Sequence, residues 1–424
     1  MSSQTSPFVA SPSLRTLIAT LSRSLHQDDP QATVQDPAVL EAADRILAAA
    51  ETDTSLLDLE QHLLRRAEDT PLGLHLAVKL ARSKQVVQAI REPTFVSVVF
   101  AVYKEHTRMM RPQEHPHGED CLVRKIEHLR WLCRGTAVDG RIYVVDDGCP
   151  EGSGHIARRI VDERCPDAPV TVLFLEDAIR AGHPVTRPMR ETADSQKGGS
   201  VVYGMWTAAQ QQHERHVVLF TDADLSVHLG QTGLLLEGLL GRGKDAVIGT
   251  RRDPRSVVIK TGHRNTRGKL FIYLWKGLIA PLGFITDTQC GFKAFSAETV
   301  RAICDDIDEK RFAFDLELLL ETELRRAGAI GRVPIAWIDS EAASTTRDLE
   351  PYLPMLRAVA AMYRKVLPSR PEADRLADLI ESMTEAQWAT LCEHVPEAIA
   401  EGDPMRFGQE RPVSVDALRE AMLG

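Results

Sequence analysis

The sequence predicts an α/β protein with a mixed, mostly parallel sheet and helical regions at both ends of the chain. Short β-branched runs such as FVSVVF, IYVVDD and HVVLF alternate with longer amphipathic stretches through the middle of the chain. That alternation is typical of strands and helices in a largely parallel sheet. Leucines recur three and four residues apart before and after this segment, which indicates helices.

The composition describes an ordinary globular protein. The chain has 424 residues, a net charge of −9 and 43% hydrophobic residues. The negative charge argues against a broad nucleic-acid-binding surface. Seven cysteines are scattered without a CxxC pair. This spacing excludes a zinc ribbon and a disulfide scaffold, and it favours reduced thiols in the cytoplasm.

The sequence shows no targeting or membrane signal. The first residues, MSSQTSPFVASPSL, lack a basic start followed by a long apolar region, so no signal peptide is predicted. No run reaches the roughly 18 apolar residues of a membrane span. The most apolar segment, LFIYLWKGLIAPLGFI, contains a lysine, a proline and two glycines. We therefore expect a cytoplasmic protein without integral membrane association.

Three regions are predicted. Residues 1–91 form an N-terminal helical region whose start is polar and poorly ordered, residues 92–347 form the α/β domain, and residues 348–424 form a C-terminal helical region. The leucine stripes of the end regions fit buried cores better than interfaces. Whether these helical end regions form a homo-oligomer, act as a lid over the acceptor or dock a partner stays open.

Acidic residues follow three of the predicted strands. Glu105 comes after the first, Asp146 and Asp147 end the second, and the sequence TDADLS follows the fourth. Ligands of such sheets gather beyond the carboxyl ends of the strands, where carboxylates can accept hydrogen bonds from a base or a ribose. A simple turn is an equally good interpretation of the adjacent aspartates.

The two aspartates of TDADLS, Asp222 and Asp224, suggest a metal site. Magnesium and manganese prefer oxygen ligands, few of them from the protein and the rest from water and phosphate. In extended backbone, residues i and i+2 share a face, but a turn just past the strand separates the two carboxylates. One can then reach a metal and the other a sugar, although a chance occurrence or a helix cap is the alternative.

Basic residues complete the pattern. Lys197 precedes two glycines at the start of a predicted helix, where backbone N–H groups and the helix dipole favour anions. Arg251 follows another strand in GTRRDPRS, and His263 and Arg264 lie in KTGHRNTRGK. Arginine matches phosphate oxygens with two parallel hydrogen bonds. Together with the acids, these residues predict a site for a divalent metal and a diphosphate, with a solvated basic loop as the alternative for part of them.

Six motifs occur in the order found in one enzyme family. The strand FVSVVFAVYKEH is followed by VVDDG, KGGSVVYGM, LFTDADLS, GTRR and DTQCGFKAF. This order resembles glycosyltransferase family two, and most of all its branch of dolichyl-phosphate glucosyl- and mannosyltransferases. The resemblance covers about residues 95–345. It implies a Rossmann-like GT-A fold, a nucleotide-diphosphate sugar donor, a Mg²⁺ or Mn²⁺ ion and inversion at the anomeric carbon.

The resemblance also implies roles for individual residues. The nucleoside and sugar diphosphate would be held by Tyr103, Glu105, Asp146, Asp147, Lys197, Asp222, Arg251, Arg264 and Arg347. The metal ligands would be Asp224, Asp222 and, as a histidine does in some GT-A enzymes, His263. The acceptor proton needs a carboxylate within hydrogen-bond reach. Asp287 of DTQCGF is the first choice for that general base, with Asp315 and Glu317 as the other candidates.

Two motifs depart from the family pattern. The first strand ends in Ala-Val-Tyr-Lys-Glu instead of Pro-x-Tyr-Asn-Glu, and the usual Asn-x-Gly-Lys-Gly reads Asp-Ser-Gln-Lys-Gly. With no predicted span, we expect a soluble small-molecule acceptor in place of a lipid. The predicted activity is inverting transfer of a hexose, with glucose from a UDP-sugar favoured and a GDP-sugar possible.

Three alternatives stay open at this point. A retaining glucosyl- or mannosyl-phosphoglycerate synthase shares the fold and the Asp-x-Asp motif. A polyprenyl-phosphate glycosyltransferase is the second. The third is a non-catalytic nucleotide-sugar sensor.

Overall fold

The computed structural model describes residues 11–27, 29–50, 56–260, 265–339 and 352–423. Nine strands within these residues form two sheets. The strands are β1 Thr94–Val102, β2 Val138–Asp146, β3 Val170–Phe174, β4 His216–Thr221, β5 Ala246–Thr250, β6 Val257–Ile259, β7 Phe292–Ser296, β8 Ile330–Pro334 and β9 Ala336–Ile338.

Helices cover the sheets and make up both ends of the chain. The N-terminal set is α1 Pro12–Ser24, α2 Pro30–Gln35, α3 Pro37–Ala50, α4 Leu56–Leu64 and α5 Leu72–Ala89. The central set is α6 Cys121–Cys133, α7 Ser153–Arg164, α8 Leu175–Arg180, α9 Gly198–Ala209, α10 Thr232–Leu236, α11 Asn265–Leu278, α12 Ala297–Ile303 and α13 Phe314–Arg325. The C-terminal set is α14 Tyr352–Val366, α15 Pro371–Ser382, α16 Glu385–Glu393, α17 Glu397–Ala400 and α18 Val415–Ala421.

The large sheet has seven strands in the order β3-β2-β1-β4-β7-β5-β8. β1 pairs in parallel with β2 and β4, and β5 pairs in parallel with β8. β7 runs antiparallel between β4 and β5. The predicted mixed, mostly parallel sheet is therefore present, and β6 and β9 form a small second sheet beside it.

The sequence pattern did not reveal β7. Its five residues, FKAFS, follow a glycine and include Lys293, which is fully buried. A charged residue in a central strand is unusual, and it is tolerated because the Lys293 ammonium lies 3.2 Å from the Asp315 carboxylate. A short strand with a buried charge does not have the apolar periodicity that predicts a strand.

Alternate residues of β1 enter two hydrophobic cores. Val99 packs in the core that also contains the C-terminal helices, whereas Val98 and Phe100 pack in the core that contains the N-terminal helices. Successive side chains of a strand point to opposite faces, so each end region covers one face of the sheet. The leucine stripes of the end regions are accordingly core residues, as expected.

Specific contacts attach the C-terminal region. The Tyr273 hydroxyl of α11 donates to the Val413 carbonyl at 2.6 Å, and the Lys269 ammonium donates to the Ala400 carbonyl at 2.6 Å. All seven cysteine thiols are free. None of the described helices combines the length and the apolar character that crossing a membrane requires.

Candidate active site

A cleft of about 620 Å³ opens at the carboxyl ends of the central strands. Seven of the sequence-predicted site residues line it, contributed by β1, β2, β4, β5 and the segment before α9. They are Tyr103, Glu105, Asp147, Lys197, Asp222, Asp224 and Arg251. This is the edge where an α/β sheet of this type binds its ligands.

Asp222 sits on the floor of the cleft in an ion pair with Lys197. Burial opposes the charge on the Lys197 ammonium, but the Asp222 and Asp315 carboxylates raise its pKa. Burial likewise opposes the charge on Asp222, and Lys197 lowers the pKa of that carboxyl. Both groups therefore stay charged, and each is about one third exposed to the cleft.

Gly291 makes room for the Asp222 carboxylate. A Cβ atom at Gly291 would lie 2.2 Å from Asp222 Oδ2, a distance that real Cβ atoms do not reach. The Asp222 backbone N–H also donates to the Gly291 carbonyl at 3.2 Å. The glycine of DTQCGF is thus needed by the close approach of β7 to the carboxylate at the end of β4.

The segment before α9 aims Lys197 into the cleft through unusual backbone conformations. Gln196 and Lys197 have φ angles of 47° and 96°, which residues other than glycine rarely adopt. Asp147 holds the segment in place, since its carboxylate accepts from the Lys197 N–H at 2.8 Å and from the Ser200 hydroxyl at 2.6 Å. Asp147 is buried, so its role here is to position Lys197.

The prediction that backbone N–H groups at the start of α9 bind an anion does not hold, because protein acceptors occupy them. The Gly199 N–H donates to the Lys310 carbonyl at 2.8 Å, and the Ser200 N–H donates to the Ser195 hydroxyl at 3.3 Å. Protein acceptors thus already use backbone donors that a phosphate would need. Lys197 itself supplies the positive charge.

Asp146 also has a structural role. One carboxylate oxygen accepts from the backbone N–H groups of Gly148 and Cys149, both at 2.9 Å, and the other accepts from Gly154 at 2.6 Å. These bonds shape the turn after β2 and fix the start of α7. The turn interpretation fits Asp146, and contact with a nucleoside does not.

Asp224 lines the cleft close to Glu105 and Arg108. Its carboxylate accepts from the Ser226 N–H at 3.1 Å, and its backbone carbonyl accepts from the buried Lys125 ammonium at 2.7 Å. Arg108 donates to Glu105 at 3.1 Å. The turn after β4 thus separates the two aspartates, with Asp222 beside the Lys197 ammonium and Asp224 beside Glu105 and Arg108.

Glu105 has a strongly perturbed acidity. Burial, against the opposing effect of Arg108 and helped by Asp224 and Glu119, raises the pKa of Glu105 to about 7. Two neighbouring carboxylates in a polar cleft suit a hard divalent cation, which takes one or two protein carboxylates and completes its shell with phosphate and water. No group of three or more histidine, cysteine, aspartate or glutamate side chains among the described residues is arranged to hold a metal ion, so the protein would supply few of the ligands.

Arg251 is held by Asp287, the residue predicted as general base. The guanidinium donates to both carboxylate oxygens, at 2.6 and 2.9 Å, and the Arg251 backbone N–H donates at 2.7 Å. Burial opposes ionisation, yet Arg251 lowers the pKa of Asp287 to about 2. A carboxylate that is so weakly basic and fully engaged is poorly suited to accept a proton, so the structure argues against the predicted role.

The other two base candidates do not line the cleft. Asp315 is buried beneath it against Lys293. Glu317 accepts from the Glu309 N–H at 2.7 Å and lies 3.7 Å from Lys365 of α14. Both acids therefore stabilise the packing around α13, and neither has the placement that proton transfer requires.

Three predicted residues, His263, Arg264 and Arg347, lie outside the described residues. Other residues of the cleft were not predicted from the sequence. They include Arg108, Thr192, Gln196, Phe312, Trp337 and Asp339. Thr192 and Gln196 lie in a long polar loop and Trp337 and Asp339 at a strand end, so loop length and strand position were the only sequence signals for them.

Comparison with known proteins finds glycosyltransferases among the similar sequences. No family model matches the chain. It is 28% identical over 213 residues to the undecaprenyl-phosphate mannosyltransferase of Micrococcus luteus, covering 49% of this chain and 76% of the relative. It is 24% identical over 300 residues to a dolichyl-phosphate β-glucosyltransferase of Trichomonas vaginalis, covering 68% and 80%. The glucosyl-3-phosphoglycerate synthase structure of Mycobacterium tuberculosis is 20% identical, with a TM-score of 0.43, over 68% of this chain and 85% of that one.

The similarity to curated glycosyltransferases and the mixed sheet with its cleft at the strand ends support a nucleotide-sugar glycosyltransferase of the GT-A type. The predicted enzyme class and fold class are confirmed. The predicted resemblance to family two and its dolichyl-phosphate glucosyl- and mannosyltransferase branch is confirmed as well.

Proposed function

We propose that this protein transfers a hexose from a nucleotide-diphosphate sugar to an acceptor hydroxyl, with inversion and with a divalent metal. UDP-glucose is the favoured donor and a soluble small molecule the favoured acceptor. The observation that carries the proposal is the division of charge in the cleft. Asp224 and Glu105 form a pair of acids next to Arg108, while Lys197 and Arg251 bring positive charge from other elements.

The donor would lie in the cleft between the acids Asp224 and Glu105 and the cations Lys197 and Arg251. Tyr103 and Glu105 at the end of β1 would contact the nucleoside, as the resemblance to family two implies. Lys197 and Arg251 would approach the diphosphate, and Asp222 would orient Lys197 and face the ribose or sugar. These charges are held by fixed partners, so little reorganisation is needed when negative charge builds up on the departing diphosphate.

The metal would be held by Asp224 with Glu105 nearby. When bound, a Mg²⁺ or Mn²⁺ ion neutralises the leaving diphosphate and orients it. Asp224 raises the pKa of Glu105 even with Arg108 beside it, so a divalent cation at these two carboxylates would be favourable. Any contribution of His263 stays a prediction.

The acceptor would enter beside Arg251, Trp337 and Asp339. The Arg251 guanidinium lies 5.2 Å from the centre of the Trp337 ring, which gives this wall a flat aromatic surface. We assign proton removal to Asp339, a carboxylate that lines the same cleft. An Asp339→Asn variant should lose at least about 100-fold in kcat while it keeps donor affinity.

Calorimetric titration of the donors tests the proposal. UDP-glucose and GDP-mannose are titrated into the wild type and Asp224→Ala, with and without Mn²⁺. Metal-dependent binding of one donor that is lost in the variant supports the site and names the nucleotide. If neither donor binds with metal present, the donor assignment is wrong.

A polyprenyl-phosphate acceptor is the second candidate, because the names of both curated relatives above specify such acceptors. Transfer of labelled glucose to a polyprenyl phosphate in detergent would favour it over a soluble acceptor.

The anomeric configuration of the product separates inversion from the retaining chemistry of a phosphoglycerate synthase. Donor binding with neither transfer nor hydrolysis would indicate a sensor. A cytoplasmic location stays a prediction.

A further inference from the structure

The C-terminal region packs against residues 283–287, the support segment, at some distance from the cleft. Lys276 of α11 joins the two, because its ammonium donates to the Gly283 carbonyl at 2.8 Å and to the Pro404 carbonyl at 2.9 Å. Lys276 is 2% exposed. Burial lowers its pKa to about 8, so the ammonium is mostly charged at neutral pH and can serve both carbonyls.

Two further contacts join the C-terminal region to the support segment. A Cβ atom at Gly408 would lie 2.7 Å from the Gly283 carbonyl oxygen and 2.9 Å from the Gly283 Cα, so only glycine allows this close approach of the two backbones. The Thr286 hydroxyl donates to the Met405 sulfur at 3.4 Å. The contacts therefore extend from the first residue of the support segment to the residue before Asp287.

The support segment ends at the carboxylate that holds Arg251. Asp287 accepts from the Arg251 backbone N–H and from its guanidinium. Arg251 lines the cleft of the candidate active site, whereas residues 283–287 do not. Arg332 of β8 also fixes the segment, since its guanidinium donates to the Phe284 carbonyl at 2.5 Å. A shift of the support segment would therefore displace the Asp287 carboxylate and, with it, the Arg251 side chain.

We propose that the C-terminal region positions Arg251 for the donor, acting through Lys276 and the support segment. Lys276, Met405 and Gly408 are positioning residues, and none of them lines the cleft. The part of the C-terminal region in donor binding rests on the proposed function, whereas its hold on Arg251 can be measured without a donor.

Lys276→Met and Lys269→Met in the full chain are the matched pair of variants. Both lysines lie on α11 and donate to a carbonyl of the C-terminal region, but the acceptor of Lys269 is Ala400, outside the contacts with the support segment. Hydrogen–deuterium exchange, followed by mass spectrometry, reports on the Arg251 amide. Calorimetry measures the affinity for UDP-glucose and GDP-mannose with Mn²⁺.

Lys276→Met should accelerate exchange of the Arg251 amide and weaken donor binding about 5-fold, a typical coupling within one hydrogen-bond network. The reason is that the support segment loses its bond to the C-terminal region, so Asp287 no longer holds Arg251 in one place. Lys269→Met should leave both the exchange rate and the donor affinity unchanged.

Gly408→Ala is a second variant, which displaces the support segment without removing a charge and should have the same two effects. Gly402→Ala is its control. The added Cβ would meet the Ala398 carbonyl at 2.5 Å and the Phe407 ring at 2.6 Å, both within the C-terminal region. Thermal unfolding of each variant verifies that it is folded at the temperature of the measurements.

Asp287→Asn separates positioning through Asp287 from a general loss of stability. If Lys276 acts through Asp287, adding Lys276→Met to Asp287→Asn causes no further loss of donor affinity. Additive losses in the double variant would mean that Lys276 acts by another route, and the proposal would be wrong.

Faster exchange of the Arg251 amide and weaker donor binding in Lys276→Met and Gly408→Ala, with both controls unchanged, support the proposal. Unchanged exchange in both variants overturns it, and so does faster exchange with unchanged donor affinity. Equal effects in Lys269→Met would show a general loosening and also overturn it. If neither donor binds to the wild type, the donor assignment of the proposed function is wrong, and the exchange rates alone decide whether the C-terminal region positions Arg251.

Discussion

The Arg251 guanidinium and the Asp287 carboxylate face each other in a bidentate ion pair, with a further bond from the Arg251 backbone N–H to the same carboxylate. The pair ties the end of β5 to the segment before β7. Arg251 lines the cleft and Asp287 stands behind it. We therefore expect Asp287 to act on the ligand through Arg251.

Asp287→Asn should weaken donor binding about 10-fold and lower the free energy of unfolding by about 3 kcal/mol, since it leaves a largely buried arginine without its counter-charge. Because the folded pKa of Asp287 is about 2 and its ordinary value is 3.8, the pair stabilises the fold above pH 3.8. This contribution is lost as the pH falls from 3.8 towards 2. Donor titration and urea unfolding at pH 7 and pH 3 measure both effects.

A general base would behave differently. If Asp287→Asn kept donor affinity and lost only kcat, with a changed pH profile, the positioning role would be wrong. Asp287→Glu provides the conservative comparison, because it restores the charge at a different length.

Lys197→Gln should reduce donor affinity by about 10- to 100-fold. The change removes the cation that faces the diphosphate and leaves Asp222 as an uncompensated negative charge beside it. Titration with the preferred donor measures the loss. Arg190→Gln is the control, since Arg190 lies in the same loop with its side chain 91% exposed. Equal affinity in wild type and Lys197→Gln would exclude contact with the diphosphate.

Gly291→Ala should impair donor binding without unfolding the protein. The new methyl group would meet the Asp222 carboxylate at 2.2 Å, so the carboxylate must leave Lys197. We expect a loss of at least about 10-fold in kcat/KM and a cost of about 1–3 kcal/mol in stability, as for other overpacked sites.

Gly241→Ala is the matched substitution, because its Cβ would have no neighbour within 4 Å. Normal donor binding and activity in Gly291→Ala would mean that Asp222 does not need its observed position.

Glu105 should make the metal-free protein less stable at neutral pH than at acidic pH. The folded pKa is about 7 and the ordinary value is 4.5, so the folded state binds the proton more tightly. Its contribution is fully present below pH 4.5 and is lost as the pH rises through 7. Glu105→Gln should flatten this dependence, measured by urea unfolding between pH 4.5 and 8 in the presence of a chelator. The same slope in wild type and variant would refute the shifted acidity.

Sequence patterns were sufficient for the layers of the fold and for the edge at which the cleft forms. Strand and helix periodicity predicted the parallel sheet, and the strand-end positions of Glu105, Asp222 and Asp224 predicted their meeting at one edge. This works because apolar periodicity and strand direction are properties of local sequence.

The partner of each charged group was decided by the tertiary structure. The sequence does not distinguish the roles of three acids near strand ends, Asp146, Asp147 and Asp287. In the fold, however, the first shapes a turn, the second holds Lys197 and the third holds Arg251. The antiparallel β7 was equally hidden, since Lys293 breaks its apolar pattern.

The sequence did not predict these partners because the interacting groups are far apart along the chain. Lys197 and Asp222 are 25 residues apart, Arg251 and Asp287 are 36 apart, and Ser200 and Asp147 are 53 apart. Local sequence determines where a carboxylate stands on its strand. Only the packing of β4, β7 and α9 determines which cation or N–H group it meets, and that contact fixes its acidity and its role.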